Sequence, residues 1–243
     1  MLALFQKEIA GFFSSLTGYI VIVVFLTING LFLWVFPGNM NILDTGTADL
    51  NPLFNIAPWV FLFLVPAITM RSFAEEKKAG TLDLLLTRPL SNLQIILGKY
   101  LACVALIVIS LLPVFIYYIS VNMLGDPKGN IDHGAYWGSY IGLILLAASY
   151  TAIGILSSSL SDNIIVSFLT GVFVCFFVYS GFDYMGSLFP LGGLGNTLQS
   201  LGIEAHYRSL SRGVIDSRDL LYFISLITIF TLLTKIKLAV RHW

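Results

Sequence analysis

Apolar residues fall along this chain in six long stretches separated by short polar segments. A helix needs about 20 mostly apolar residues to cross the hydrocarbon layer of a bilayer. The first stretch, residues 16–36, carries no charge, and fourteen of its residues are Leu, Ile, Val or Phe. At about −0.3 to −0.6 kcal/mol each, these favour insertion by roughly 4–8 kcal/mol. The run is too long for a signal-peptide core and lacks a small-residue cleavage site, so it reads as a retained span. Further spans are predicted at about 52–70, 100–122, 137–157, 164–184 and 220–234. Pro52 suits a first helical turn, whereas Pro58, Pro66 and Pro113 predict bends. The sixth run is short, and Lys235 and Lys237 can snorkel from its end to the interface. The expectation is a single all-α, polytopic transmembrane domain over residues 1–243.

Composition supports this. Of 243 residues, 57% are apolar and 11% charged, against about 45–50% and 25% in soluble domains. A soluble enzyme is thereby disfavoured. Zero formal net charge gives no basic footprint for nucleic acid. Cys103 and Cys175 lie in apolar runs and read as small fillers rather than a disulfide or zinc site. Basic residues set the orientation. With both termini on one side, that side holds Lys7, Arg71, Lys77, Lys78, Arg88, Lys99, Lys235, Lys237 and Arg241; the other holds Lys128, Arg208, Arg212 and Arg218. Nine against four predicts both termini in the cytoplasm, with 37–51, 123–136 and 185–219 outside.

Ion- or proton-moving proteins bury ionisable residues in their spans, and here only Asp162 and Asp183 come close, near the ends of the fifth. His133, His206 and His242 fall in loops or the tail and read as solvated or interfacial residues rather than ligands or bases. An ion-coupled carrier is therefore weakly motivated. Ser180-Gly181 resembles part of an intramembrane protease motif, but Val178 replaces its first glycine and no span carries a histidine. Residues 129–134 have P-loop glycine spacing, yet Ala135-Tyr136 follows where Lys-Ser/Thr is required; 125–134 reads as an exposed turn. The chain thus offers no catalytic residue, metal site or nucleotide site of its own.

The informative segment is 71–99, which holds eight of the 26 charges. Residues 71–79 predict a helix with Arg71 and Glu75 paired at i,i+4, closed by Gly80 as a C′ residue. Thr81 can cap a second short helix, 82–87, with Asp83 in its first turn, and Pro89 stops it. Ser91 and Gln94 form a capping box that opens the helix entering the third span, whose Leu93, Ile96, Leu97 and Tyr100 share a face. Leu82, Leu84, Leu85 and Leu86 need a surface on which to bury.

Residues 73–90, FAEEKKAGTLDLLLTRPL, resemble the E-E-x-x-x-G-T-L-[DE]-L-L-L-x-x-P signature of ABC-2-type transporter permeases, at the position after the second of six spans where that family has it. The resemblance implies short cytoplasmic coupling helices that dock on a separate cytosolic ABC ATP-binding subunit, which binds the ATP and Mg. It implies a coupling loop in which Arg71, Glu75, Glu76, Gly80, Thr81, Asp83 and Leu84 lie at or near that contact. Residues 32–38, 57–71 and 211–223 are similar to the gliding-motility-associated ABC permease subunits of the Bacteroidetes. That likeness implies an auxiliary membrane subunit or sister permease, a homodimer or heterodimer of permeases, and residence in the bacterial inner membrane. It supplies no substrate. A scaffold role without transport is the alternative.

Three further elements fit this frame. Residues 2–10 place Leu2, Phe5 and Ile9 on one face, as in the interfacial helix with which similar permeases begin. Gly134, Gly138 and Gly142 recur every fourth residue, followed by Ala148 and Ala152, as in small-residue ridges where helices approach closely. In similar permeases the position of 185–219 holds short helices that dip into the outer leaflet; Asp216, Arg218 and Asp219 would anchor its end at the water boundary.

Overall fold

The computed structural model describes every residue except 83, 84, 86–89, 190–192, 214, 215 and 241–243. The expected roles of Asp83, Leu84, Leu86, Pro89 and His242, and the charges of Arg88 and Arg241, lie outside the described residues. Among those described, all regular structure is helical, and six helices are long and apolar enough to cross a membrane. The fold is an all-helical membrane bundle.

Polar residues punctuate the starts of these helices. The N-terminal helix Leu2–Ser14 stops at Ser15, which is extended (φ −106°, ψ 164°) and whose hydroxyl accepts the Thr17 N–H that opens the first span, Leu16–Trp34. Asp132, Asn163 and Asp216 take the same part for the fourth span (His133–Leu160), the fifth (Ile164–Ser187) and the sixth (Ser217–Ala239), accepting from Ala135, Ile165 and Arg218 at 2.9–3.0 Å. Each side chain satisfies a backbone donor that the helix itself leaves free. Ser91 and Gln94 exchange both bonds of a capping box, at 3.0 and 3.3 Å.

The second span, Asn51–Thr69, runs helically through both Pro58 and Pro66, turns at Met70, and resumes as a loop helix, Arg71–Lys78. The third is interrupted at Leu112–Pro113, between Asn92–Leu111 and Val114–Leu124. The fifth passes through a π-turn at Phe177–Gly181. A Cβ on Gly181 would stand 2.8 Å from the Phe177 ring, so the widened turn needs glycine there.

The helices outrun the expected spans. Asn92–Leu124 covers 33 residues, about 50 Å at 1.5 Å per residue, against a hydrocarbon core of about 30 Å. Several turns therefore stand outside it. The fourth span is the hub. It touches the second, third, fifth and sixth, and Tyr150 at its centre is wholly buried.

Candidate functional site

The loop helix Arg71–Lys78 is held at both ends. No side chain of its own segment caps its start. Instead Ser158, near the end of the fourth span, accepts the N–H groups of Phe73 (2.9 Å) and Ala74 (3.1 Å) and donates to the Met70 carbonyl at 2.8 Å. It is an N-cap supplied from 85 residues away in sequence. At the other end Gly80 takes φ +68°, Gly80 N donates to the Lys77 carbonyl (3.1 Å) and Thr81 N to that of Glu76 (2.9 Å). This is the Schellman closure expected of Gly80. Lys77 is almost fully buried and donates to the Ser159 carbonyl, with Asp162 at 3.7 Å. A cation there meets the negative end of the fourth helix.

The centre of the site is Lys99, 2% exposed, on the first turns of the third span. Its ammonium donates to Glu76 Oε1 of the loop helix at 2.8 Å and to Glu8 Oε1 of the N-terminal helix at 3.0 Å, and lies 5.4 Å from the Phe73 ring centroid. One buried cation thus ties three separate elements together. The cluster carries one more negative charge than positive, and Glu76 Oε2 has no hydrogen-bond partner among the described residues. Beside it Leu4, Phe73, Leu82, Ile95 and Ile96 form a second small core.

The residues expected at the coupling loop therefore divide. Arg71, Glu75, Gly80 and Thr81 are exposed, whereas Glu76 is mostly buried against Lys99. Arg71 and Glu75 do not pair as their spacing suggested; among the described residues neither forms an ion pair, because both point to open surface. Thr81 Oγ1 turns back toward the Glu76 carbonyl at 3.4 Å. Leu82 finds its surface within the chain, at 2% exposure. The N-terminal helix also packs on the bundle. Its buried side centres on Leu4, packed on Gly98, and on Glu8, while Leu2 is 68% exposed. Two cavities flank Glu76: one of about 340 Å³ bordered by Lys7, Arg71 and Glu75, and one of about 370 Å³ with Leu4, Leu85 and Leu90 on its walls.

At the opposite end of the bundle, the glycine ridge faces the segment Ile203–Gly213. A Cβ on Gly138 would meet the Leu210 carbonyl and lie 2.8 Å from Gly213 Cα; one on Gly142 would be 3.2 Å from Leu210 Cβ; one on Gly134 would meet only Asp132 Oδ1, at 3.4 Å. Gly213 itself is at φ +82°, against the Gly134 backbone. The tethered helix Ile203–Leu210 buries Tyr207, whose hydroxyl donates to the Phe54 carbonyl at 2.7 Å. Burial pushes that phenol well above its usual pKa. Both described histidines are hydrogen-bonded. His206 lies between Asp219 Oδ1 (2.7 Å) and the Ser200 carbonyl (2.9 Å) and stacks on Tyr222, and His133 meets the Tyr118 hydroxyl at 2.7 Å. Asp219, in the first turn of the sixth span, is 6% exposed. Among the described residues no group of His, Cys, Asp or Glu could hold a metal.

Sequence reasoning missed Lys99, Glu8, Ser158 and Asp162 as parts of the site. Lys99 entered only as a count in the charge balance. The one available signal was a lysine inside an apolar face, beside Ile96 and Tyr100, where an unpaired charge is costly.

A family model described as ABC-2 family transporter protein matches residues 5–233. No curated protein matches the chain. The family match covers nearly all of its length, so the chain belongs to that family. It is a multi-pass membrane permease of an ABC transporter, a type of subunit that is typically non-catalytic. Membership implies an ATP-binding partner subunit and a dimer of membrane subunits in general.

Proposed function

We propose that the exposed face around Glu75, Lys78, Gly80 and Thr81 is where the separate ATP-binding subunit docks, and that Lys99 passes the movement of that contact into the bundle. Both termini and the 71–99 loop then lie in the cytoplasm of a bacterial inner membrane. ATP and Mg sit in the partner, and the substrate path runs between two permeases, a homodimer or a pair with a sister chain. The similarity of residues 32–38, 57–71 and 211–223 supports a gliding-motility type of system with an auxiliary membrane subunit.

The observation that carries this reading is the Lys99 cluster. A push on a short surface helix is useful only if the helix is rigidly joined to something that spans the membrane. Glu76–Lys99 joins the loop helix to the third span, Lys99–Glu8 adds the N-terminal helix, and Ser158 and Lys77 add the fourth. The burial of Glu76 also separates two roles within the acidic pair: Glu75 is free to meet a partner, whereas Glu76 acts through Lys99.

The test is co-purification of the ATPase with membranes. Glu75→Lys combined with Lys78→Glu should lower it about tenfold, the effect of losing one or two charge-assisted contacts, with the permease still inserted. Unchanged co-purification would remove the docking claim. A scaffold without transport predicts instead that a hydrolysis-dead ATPase supports full activity; the permease reading predicts none.

A further inference from the structure

At the end of the bundle away from the loop helix, the turn after the short helix Gly193–Gln199 is held to the sixth span by two rings. His206, mostly buried on the helix Ile203–Leu210, stands between two oxygens: Nδ1 is 2.7 Å from Asp219 Oδ1 and Nε2 is 2.9 Å from the Ser200 carbonyl. Tyr222, one turn beyond Asp219, stacks on that imidazole with 3.8 Å between centroids and 19° between planes. The Tyr222 hydroxyl donates to the Leu201 carbonyl at 2.7 Å. Two consecutive carbonyls are thus gripped at the start of the sixth span. The gripped turn carries more with it. The Gly193–Gln199 helix lies so close to the outer end of the fifth span that a Cβ on Gly186 would stand 2.7 Å from the Gly195 carbonyl oxygen. That outer end, Phe182–Ser187, begins directly after the π-turn Phe177–Gly181.

The contacts around His206 fix its charge. A carboxylate and a carbonyl oxygen both accept, and neither donates. A neutral imidazole has one N–H, so it satisfies one of them and turns a lone pair toward the other. Imidazolium donates to both. Asp219 requires the same state. It is 6% exposed, and among the described residues its Oδ2 has no hydrogen-bond partner and no backbone N–H bonds its carboxylate. Beside a neutral imidazole it would be a buried anion without a counter-charge. A charged ring also gains from its seat on the Tyr222 face. Of the other ionisable groups on the elements packed here, Glu204 and Arg208 of the same helix pair with each other at 2.5 Å. Asp216 accepts the Arg218 N–H, and the Arg218 side chain is exposed. Asp183, at the end of the fifth span, is half-buried and forms no ion pair among the described residues. The helix itself, the π-turn and the fourth span add Tyr207, Tyr179, Tyr136, Tyr140 and Tyr150, phenols that stay neutral near pH 7, and His133, which bonds Tyr118.

We infer that His206 and Asp219 form a proton-binding latch. With the proton bound, the Ser200–Leu201 turn is clamped to the sixth span; when the proton leaves to solvent, one of the two acceptors loses its donor and the clamp opens. The sign follows from the bound proton: the clamp is favoured at lower pH and weakens as pH rises through the titration of His206. Imidazole is the side chain whose ordinary titration falls between about pH 5 and 8. Opening frees the Gly193–Gln199 helix, together with the outer end of the fifth span against which it packs, to move relative to the sixth span.

The test uses the full chain in phosphatidylcholine nanodiscs, labelled with ¹⁵N-histidine, with the His206 resonances identified by their absence from His206→Phe. Both ring nitrogens of His206 should be protonated at about pH 6, and one should lose its proton by about pH 8.5. Amide exchange at Ser200, Leu201 and Gly202 is read alongside, as protection relative to an unstructured peptide at the same pH. That protection should fall about tenfold over the same range, the effect of losing one charge-assisted contact, while protection at the Ser91–Gln94 cap stays level. His206→Phe keeps a stacked ring but no donor, so its protection should be low and independent of pH. Asp219→Asn separates the latch from a merely structural contact. Its amide can donate to an unprotonated Nδ1 while Nε2–H still donates to Ser200, so His206 should be neutral throughout and protection high and level. A neutral His206 ring at about pH 6 in the parent chain would overturn the inference. So would protection that stays level while His206 titrates, or a fall in Asp219→Asn equal to that of the parent.

Discussion

The two ends of the bundle are fastened by different physics. At the loop end, a few polar side chains hold several elements at once: Lys99 joins three, and Ser158 satisfies two N–H groups and one carbonyl of a neighbouring segment. At the other end close steric contact does more of the work. Gly138 and Gly213 let the fourth span and the tethered segment meet backbone to backbone, while Tyr207 bonds to Phe54 and His206 to Asp219 of the sixth span. Charge and hydrogen-bond clusters transmit displacement because their partners are few and directional. Close backbone contact holds shape. The contrast fits the docking proposed for the loop end.

The contrast breaks most directly at Lys99. Lys99→Met leaves Glu8 and Glu76 facing each other without a cation, an expected loss of about 3–5 kcal/mol. The readout is the thermal midpoint of the purified chain. Adding Glu8→Gln and Glu76→Gln should recover most of it, because a neutral cluster carries no uncompensated charge. If the single variant melts like the parent, the loop end is not fastened by charge.

A smaller effect tests the steric end. Gly138→Ala puts a methyl against the Leu210 carbonyl and Gly213, for about 1–3 kcal/mol of overpacking. Gly134→Ala makes only an ordinary contact with Asp132 Oδ1 at 3.4 Å and should be neutral or slightly stabilising, since alanine favours a helix over glycine by up to about 1 kcal/mol. Equal losses in a denaturation series would mean that the ridge acts as a unit rather than through Gly138. The smallest effect is expected at Ser158→Ala, about 1 kcal/mol for the lost cap. Hydrogen exchange should speed up at Phe73 and Ala74 of the loop helix and leave the fourth span unchanged.

Much of the loop was legible because its signals are local. The Ser91–Gln94 capping box and the Gly80 closure depend on residues three to five apart, and both form as the spacing implied. The same local logic misled at Arg71 and Glu75, where i,i+4 geometry permits a pair that solvent gives little reason to form. Glu76 shows the limit most clearly. In the sequence it is the twin of Glu75, yet its neighbour 23 residues on, Lys99, draws it inward. The N-terminal helix shows the same limit: its Leu2, Phe5 and Ile9 stripe is legible locally, whereas the packing of Leu4 on Gly98 is not.

The sequence by itself determined that the chain is a six-helix membrane bundle with one charged loop, because apolar length and the position of caps are properties of consecutive residues. Only the tertiary structure decided which of those charges face a partner and which are consumed inside. The energy of a buried ion pair, a cap supplied by another helix, or a methyl group with no room depends on atoms brought together from 23 to 91 positions apart.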